Sequence, residues 1–156
     1  MARRNIVEQL VFLQLHGFRI IPYVCFTLLG VEIPKEVLFA DKNGGDVKFA
    51  HRAQGTIIHP KTRIGRRVLI FQNVTIGKSR PWDDNLSAGG ATICDDAVLC
   101  AGSKILFDEN ELIVGKGTII GANSVLTQST GDNEIWAGVP AKKIGLRTDE
   151  HLLRNS

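Results

Sequence analysis

At 156 residues, with 44% apolar and 22% charged residues, the chain suits a single globular domain. Its net charge of +3 is mild and its basic residues are scattered, with no stripe that could track a phosphate backbone, so no nucleic-acid partner is expected. Cys25, Cys94 and Cys100 make an odd count with no Cys-x-x-Cys pair, which fits reduced thiols in the cytoplasm rather than a disulfide framework or a zinc site.

The basic start, Met1-Ala-Arg-Arg, is not followed by the short apolar core and small-residue cleavage site of a secretory leader. Residues 5–15 place apolar side chains at 6, 7, 10, 11, 13 and 15, which predicts a helix capped by Asn5 and ended by His16-Gly17. A second apolar helix follows, with a kink expected at Pro22 and a stop at Gly30. The run from Phe18 to Val31 is short for a bilayer span and carries Arg19 and Pro22, so the expectation is at most peripheral membrane contact through these helices. Residues 1–31 should form a cap, because an open end of a repeat array exposes apolar side chains and unpaired strand edges.

Glu32-Ile33-Pro34 then opens a different regime. Residues 38–57 are its least regular part: Asp41-Lys-Asn-Gly-Gly45 is a turn cluster, and His51-Arg-Ala-Gln-Gly55-Thr precedes a clean frame. In that frame Ile58, Ile64, Ile70 and Ile76 recur at a step of six, and the step resumes at Ile93, Leu99 and Ile105 and again at Val114, Ile120 and Leu126. Smaller residues, among them Thr62, Val68, Val74, Ala97, Ser103, Thr118 and Ser124, sit four residues behind. A helix face steps by three or four and a strand face by two, so a six-residue step requires a β-solenoid in which each hexapeptide forms one flat side. Gly65, Gly77, Gly102, Gly115 and Gly121 are expected near its corners.

Residues 78–90 abandon the frame and predict an extruded loop, with Trp82, Asp83 and Asp84 as candidate substrate-binding residues. A slip between Ile105 and Val114 predicts a bulge of about three residues. After Leu126 the repeats fade. The expected organisation is a β-helix over 32–130 and a tail over 131–156 that leaves the prism at Trp136-Ala-Gly-Val-Pro, with a short helix near 149–154.

The ordered set Glu32-Ile33-Pro34, His51, Ile57-Ile58-His59-Pro60, Gln72-Asn-Val-Thr-Ile-Gly77, Cys100-Ala-Gly-Ser-Lys-Ile105, Ile120-Gly-Ala-Asn-Ser-Val125 and Ala137-Gly-Val-Pro-Ala-Lys142 resembles the hexapeptide-repeat acyltransferases, specifically their serine acetyltransferase-like branch. The resemblance implies a mainly β, left-handed parallel β-helix, an exception to the right-handed crossover rule. It further implies a homotrimer with acetyl-CoA as co-substrate in the groove between protomers, and no metal. His51 matches the catalytic histidine, with Glu32 in the place of the family's acidic residue and Asp46 as an alternative orienting carboxylate. Pantetheine contacts fall on backbone groups at Ala101 and Ala122 with Gly77 nearby, and Lys142 and Lys143 would meet nucleotide phosphates.

Departures from the pattern bear on the acceptor. The residue before His51 is Ala50 rather than Asp, and the extruded loop ends in Ser87-Ala-Gly-Gly90 rather than with an Arg-His pair, so a sugar hydroxyl is expected as readily as serine. The short form with apolar amino-terminal helices also resembles acetyltransferases of surface-polysaccharide pathways. His59, in a His-Pro pair, reads as structural, and His16 as a helix-end residue. Two other readings compete: a trimeric zinc carbonic anhydrase, for which only His51 and His59 lie in the solenoid, and a noncatalytic trimeric scaffold.

Overall fold

The ten aliphatic residues of the six-residue step, from Ile58 to Leu126, all have 1% or less of their surface exposed. The smaller residues behind them are buried beside them, so large and small side chains alternate up the inside of a prism. A computed structural model describes residues 5–41, 46–83 and 89–148. Two helices, α1 (Ile6–Leu15) and α2 (Ile20–Leu29), precede four coils of short strands. The first coil is β1 (Leu38–Phe39), β2 (Lys48–Phe49) and β3 (Ile57–Ile58), and the second is β4 (Thr62–Ile64), β5 (Leu69–Ile70) and β6 (Thr75–Lys78). The third is β7 (Gly90–Ile93), β8 (Val98–Leu99) and β9 (Lys104–Phe107), and the fourth is β10 (Glu111–Val114), β11 (Ile119–Ile120) and β12 (Val125–Leu126). The chain ends in β13 (Glu134–Gly138) and β14 (Ala141–Leu146).

Every third strand stacks in parallel on its predecessor. Face 1 is β1-β4-β7-β10, face 2 is β2-β5-β8-β11-β13-β14, and face 3 is β3-β6-β9-β12. The register keeps the repeat in line: Ile58 pairs with Ile76 and Ile76 with Ile105 on face 3, while Ile70 pairs with Leu99 and Leu99 with Ile120 on face 2. The architecture is a left-handed parallel β-helix.

Both ends are closed. At the start, Val7, Leu10 and Val11 of α1 join the solenoid core, which covers the first coil. Asn5 and Glu8 form a capping box, and the same pair reaches across to the coil: Asn5 Nδ2 donates to Phe49 O at 2.6 Å, and Phe49 N donates to Glu8 Oε1 at 3.2 Å. At the other end β13 pairs in parallel with β11 and buries Trp136 against the last coil, and β14 folds back antiparallel. Trp136 therefore does not leave the prism as its spacing suggested; it makes one more rung on face 2, and the departure begins only with β14.

Two further expectations are corrected. Pro22 does not kink α2, because it lies in the first turn, where no helical N–H partner is required. Gly77 lies within β6, facing open space, rather than at a corner. The turns into face 3 are instead made by left-handed residues in a column, Gly55 (φ 71°), Asn73 (58°), Gly102 (71°) and Asn123 (56°). A Cβ built on Gly102 would lie 2.2 Å from Asn123 Oδ1, so a side chain there would have to displace that carboxamide as well as adopt a left-handed dihedral. The terminal helix expected near 149–154 falls outside the described residues.

Among the described residues no helix is long and apolar enough to cross a membrane. Ile20, Tyr23 and Leu28 of α2 are nonetheless more than 70% exposed.

Candidate active site

The corner from face 2 to face 3 is short in the second coil, where Phe71, Gln72 and Asn73 separate buried Ile70 from buried Val74. In the first coil the same corner needs Ala50 through Gly55 between buried Phe49 and buried Thr56. The extra length is taken up by a left-handed turn at His51 (φ 50°, ψ 34°), Arg52 (φ 60°, ψ 22°) and Ala53 (φ 49°). For residues with a Cβ this conformation costs about 1–2 kcal/mol each, so the turn holds roughly 3–6 kcal/mol of strain. It is pinned from both sides, by Ala53 buried in the core and by Phe49, whose N–H and C=O are both held by the α1 cap. The result is an exposed His51 imidazole at the prism edge, its ring centroid 6.1 Å from that of Phe71 one rung on.

Backbone hydrogen bonds trace this edge through the coils. Asn73 N donates to Gln54 O at 2.8 Å, Gly102 N to Gln72 O at 3.0 Å, and Asn123 N to Ala101 O at 2.9 Å. His51, Ala101 and Ala122 therefore share one edge. Gly77 lies on adjoining face 3, bare of neighbours on its outer side.

The remaining predicted residues are dispersed. Glu32 bridges Ile57 at the start of face 3 and is exposed, but no hydrogen bond or ion pair joins it to His51. It lines a groove of about 520 Å³ under α2 with Tyr23 and Phe26. Asp46 lies in another groove with Lys48, Arg67 and Asp96, at the opposite edge of face 2, and likewise makes no bond to His51. Trp82, 76% exposed, and Asp83 belong to the loop between faces 3 and 1, held there by Arg80, which pairs with Asp83 at 3.5 Å and Asp108 at 2.9 Å. They stand on the far edge of face 3 from His51. Asp84 lies outside the described residues.

Lys142 is exposed on β14, but Lys143 is engaged: its Nζ is 2.7 Å from Glu134 Oε1. That ammonium, with the Trp136 indole N–H, holds the Glu134 carboxyl below its usual range. Burial, with Lys78 and Lys61 nearby, pushes the His59 pKa down, and its Nδ1 accepts from Lys61 N at 3.1 Å while the ring stands edge-on to Phe107. His59 is thus a half-buried side chain held by the backbone and Phe107. His16 is bonded to Phe12 O at the end of α1. Among the described residues no three His, Cys, Asp or Glu side chains gather as a metal-binding group.

Two contributors to the site escaped the sequence reading. Glu8 supports the turn from a helix 41 residues away, which no local pattern signals. Gln72 is on the edge between His51 and Ala101; its place in the Gln-Asn-Val-Thr-Ile-Gly stretch marked it only as part of a repeat signature.

No protein-family model matches the chain. In sequence it is 32% identical over 126 residues to a serine acetyltransferase of Bacillus pumilus, a match covering 81% of this chain and 53% of that protein. It is also 33% identical over 124 residues to the mitochondrial gamma carbonic anhydrase 2 of Arabidopsis thaliana, covering 75% of this chain and 41% of that one. In fold it resembles a solved serine acetyltransferase from Brucella abortus in complex with coenzyme A, with a TM-score of 0.70 and 24% identity over 91% of this chain and 54% of the other. The chain spans about half the length of the curated relatives it matches.

Proposed function

We propose that this chain, a hexapeptide-repeat protein of the serine acetyltransferase-like type, is an acetyl-CoA-dependent O-acetyltransferase that uses His51 as its general base. The observation that carries the reading is the edge itself: a strained turn holds an exposed imidazole at the head of a track of small residues, Ala101 and Ala122, along which an extended pantetheine arm can lie. The acceptor hydroxyl attacks the thioester carbonyl as His51 takes its proton. The carbon–sulfur bond then breaks, and the imidazolium returns the proton to the leaving thiolate.

A homotrimer would bring the dispersed residues together. In one chain the Trp82–Asp83 loop and His51 occupy opposite edges of face 3, so a cyclic assembly that sets one protomer's loop against its neighbour's His51 edge would complete a cleft. An exposed tryptophan beside carboxylates suits a sugar hydroxyl at least as well as serine as the acceptor. Glu32, at the start of face 3, would orient the imidazole only from within that cleft; Asp46 stands at the far edge of face 2, outside it, and Lys142 is better placed than Lys143 to meet the nucleotide phosphates. Peripheral membrane contact through Ile20, Tyr23 and Leu28 belongs to the same reading and is tested by vesicle co-sedimentation.

The test of function is thiol release from acetyl-CoA with serine, homoserine and sugar acceptors. His51→Ala should lower turnover about a hundredfold or more. Its fold should be retained, since the side chain is exposed. Undiminished turnover would remove His51 from the chemistry. The carbonic anhydrase similarity favours one second reading, hydration of carbon dioxide at zinc, for which metal content and hydration rate are measured on the same sample.

A further inference from the structure

Among the described residues, four buried side-chain polar atoms lack a hydrogen-bond partner: Gln72 Oε1, Ser79 Oγ, Ser103 Oγ and Arg147 Nε. Ser103 is sealed inside the prism, Ser79 sits at the root of the extruded loop, and Arg147 is anchored by its Nη1 to Asp96 O and Gly117 O on the opposite edge of face 2. Gln72 differs: it lies on the edge that carries His51, Ala101 and Ala122. A buried carboxamide oxygen without a donor is costly, and such groups call for a partner that the isolated chain does not supply.

Five carbonyls along the edge each already accept one hydrogen bond. The carbonyl of Phe71 accepts from Thr56 Oγ1, that of Gln72 from Gly102 N, that of Cys100 from Ser103 N, that of Ala101 from Asn123 N and that of Gly121 from Ser124 N. The N–H groups of Ala101 and Ala122 have no backbone partner. A pantetheine arm laid along this track finds donors for its carbonyls, but its amide N–H groups need an acceptor.

Building on the acetyltransferase reading, we propose that the Gln72 carboxamide, its Oε1 buried and unpartnered in the free chain, turns outward when acetyl-CoA binds, so that Oε1 accepts the cysteamine amide N–H and registers the thioester against His51. The amide nitrogen is two methylenes from the sulfur, and successive rungs are about 4.8 Å apart. Phe71, next in sequence to Gln72, already has its ring 6.1 Å from the imidazole. A bond at Gln72 therefore sets the reacting carbonyl about one rung from the base, and slippage of the arm by one rung would carry it out of reach.

The experiment compares wild type with Gln72→Met and Gln72→Asn, using acetyl-CoA and an analogue whose cysteamine amide is replaced by an ester. CoA affinity is measured by calorimetry alongside steady-state kinetics. Gln72→Met should raise the acetyl-CoA KM and the CoA Kd about five- to tenfold, the worth of one hydrogen bond, and leave the acceptor KM unchanged. The ester analogue should suffer the same loss with wild type and none beyond it with Gln72→Met. The melting temperature of Gln72→Met should equal or exceed that of wild type, because an orphaned oxygen has been removed. Gln72→Asn, whose shorter side chain keeps the carboxamide, should show the same KM pattern if the Met variant does not fold. An unchanged CoA Kd, an ester penalty that persists in both variants, or a lowered melting temperature accompanied by equal rises in both KM values overturns the assignment. Wild-type protein that binds CoA tightly yet transfers nothing would refute the transferase reading while the Kd comparison still decides on Gln72; wild-type protein that does not bind CoA refutes both.

Discussion

Asn5→Ala tests whether the helical cap and the candidate site are one mechanical unit. The substitution removes the acceptor for Glu8 N, at 3.1 Å, and the Nδ2 donor that reaches Phe49 O at 2.6 Å and Glu8 Oε1 at 3.0 Å. Loss of an N-cap side chain costs about 0.5–2 kcal/mol. The bond to Phe49 adds about 0.5–1.5 kcal/mol. A total of about 1–3.5 kcal/mol corresponds to a fall of roughly 2–14 °C in melting temperature for a chain of this size, read by circular dichroism at fixed protein concentration. Because Phe49 immediately precedes the left-handed turn, acetyl transfer should also fall at temperatures where the protein is fully folded. Glu8→Gln weakens the same Phe49 clamp, so the double variant should lose less than the two single losses combined. A melting temperature within about 1 °C of wild type would refute the clamp, and a lowered one with unchanged turnover would show that the turn holds itself.

Arg52→Gly should raise or preserve stability, since relief of about 1–2 kcal/mol of left-handed strain outweighs about 0.4–1 kcal/mol of added unfolded-state entropy, while turnover falls as His51 is released; a drop in urea midpoint would refute stored strain at this turn. The Arg67 guanidinium, bonded to both Asp96 oxygens, holds that carboxyl below its usual range, as Lys143 does for Glu134. A depressed carboxylate stabilises the fold above its unfolded pKa and ceases to do so as pH falls through the folded one, so melting temperature should decline on acidification, and Asp96→Asn should flatten that decline below about pH 4. Burial raises the Cys100 thiol pKa, so iodoacetamide should label it slowly at neutral pH and faster in alkali, and CoA should protect it because it shares the Ala101 edge; equal labelling with and without CoA would argue against an arm on that track.

The prism was legible because its core repeats a single rule. One large aliphatic and one small residue per six positions leave no other face to bury, and every one of the ten predicted aliphatics is inside. Trp136 was not legible, because it follows Leu126 by ten residues and pairs with Ile120 only after a turn that breaks the step. Pro22 looked like a kink because a sequence does not mark the first turn of a helix whose amino-terminal residue, Arg19, makes no side-chain cap. The turn that carries His51 was legible only as irregularity. Ala50-His-Arg-Ala carries no glycine to announce a left-handed path, so residues 50–55 read as a lapse in the repeat rather than as a conformation. The engagement of Lys143 depends on Glu134 arriving across an antiparallel pair, which composition cannot foresee.

A regular solenoid makes its coils nearly interchangeable, and chemistry needs one position unlike the others. The second, third and fourth coils turn into face 3 on one left-handed residue each, Asn73, Gly102 or Asn123, of types that tolerate that conformation. The first coil places three residues that do not, His51, Arg52 and Ala53, ahead of its own turn residue Gly55, and it is the coil on which α1 rests. Each inner coil is paired with a rung on both sides. Only a terminal coil has a side free for a helix to grip, and the α1 cap grips the peptide from which the turn departs. The helical cap therefore does more than cover an apolar end: it supplies the constraint that lets the end coil carry a strained, exposed imidazole while the coils beyond it continue the same edge.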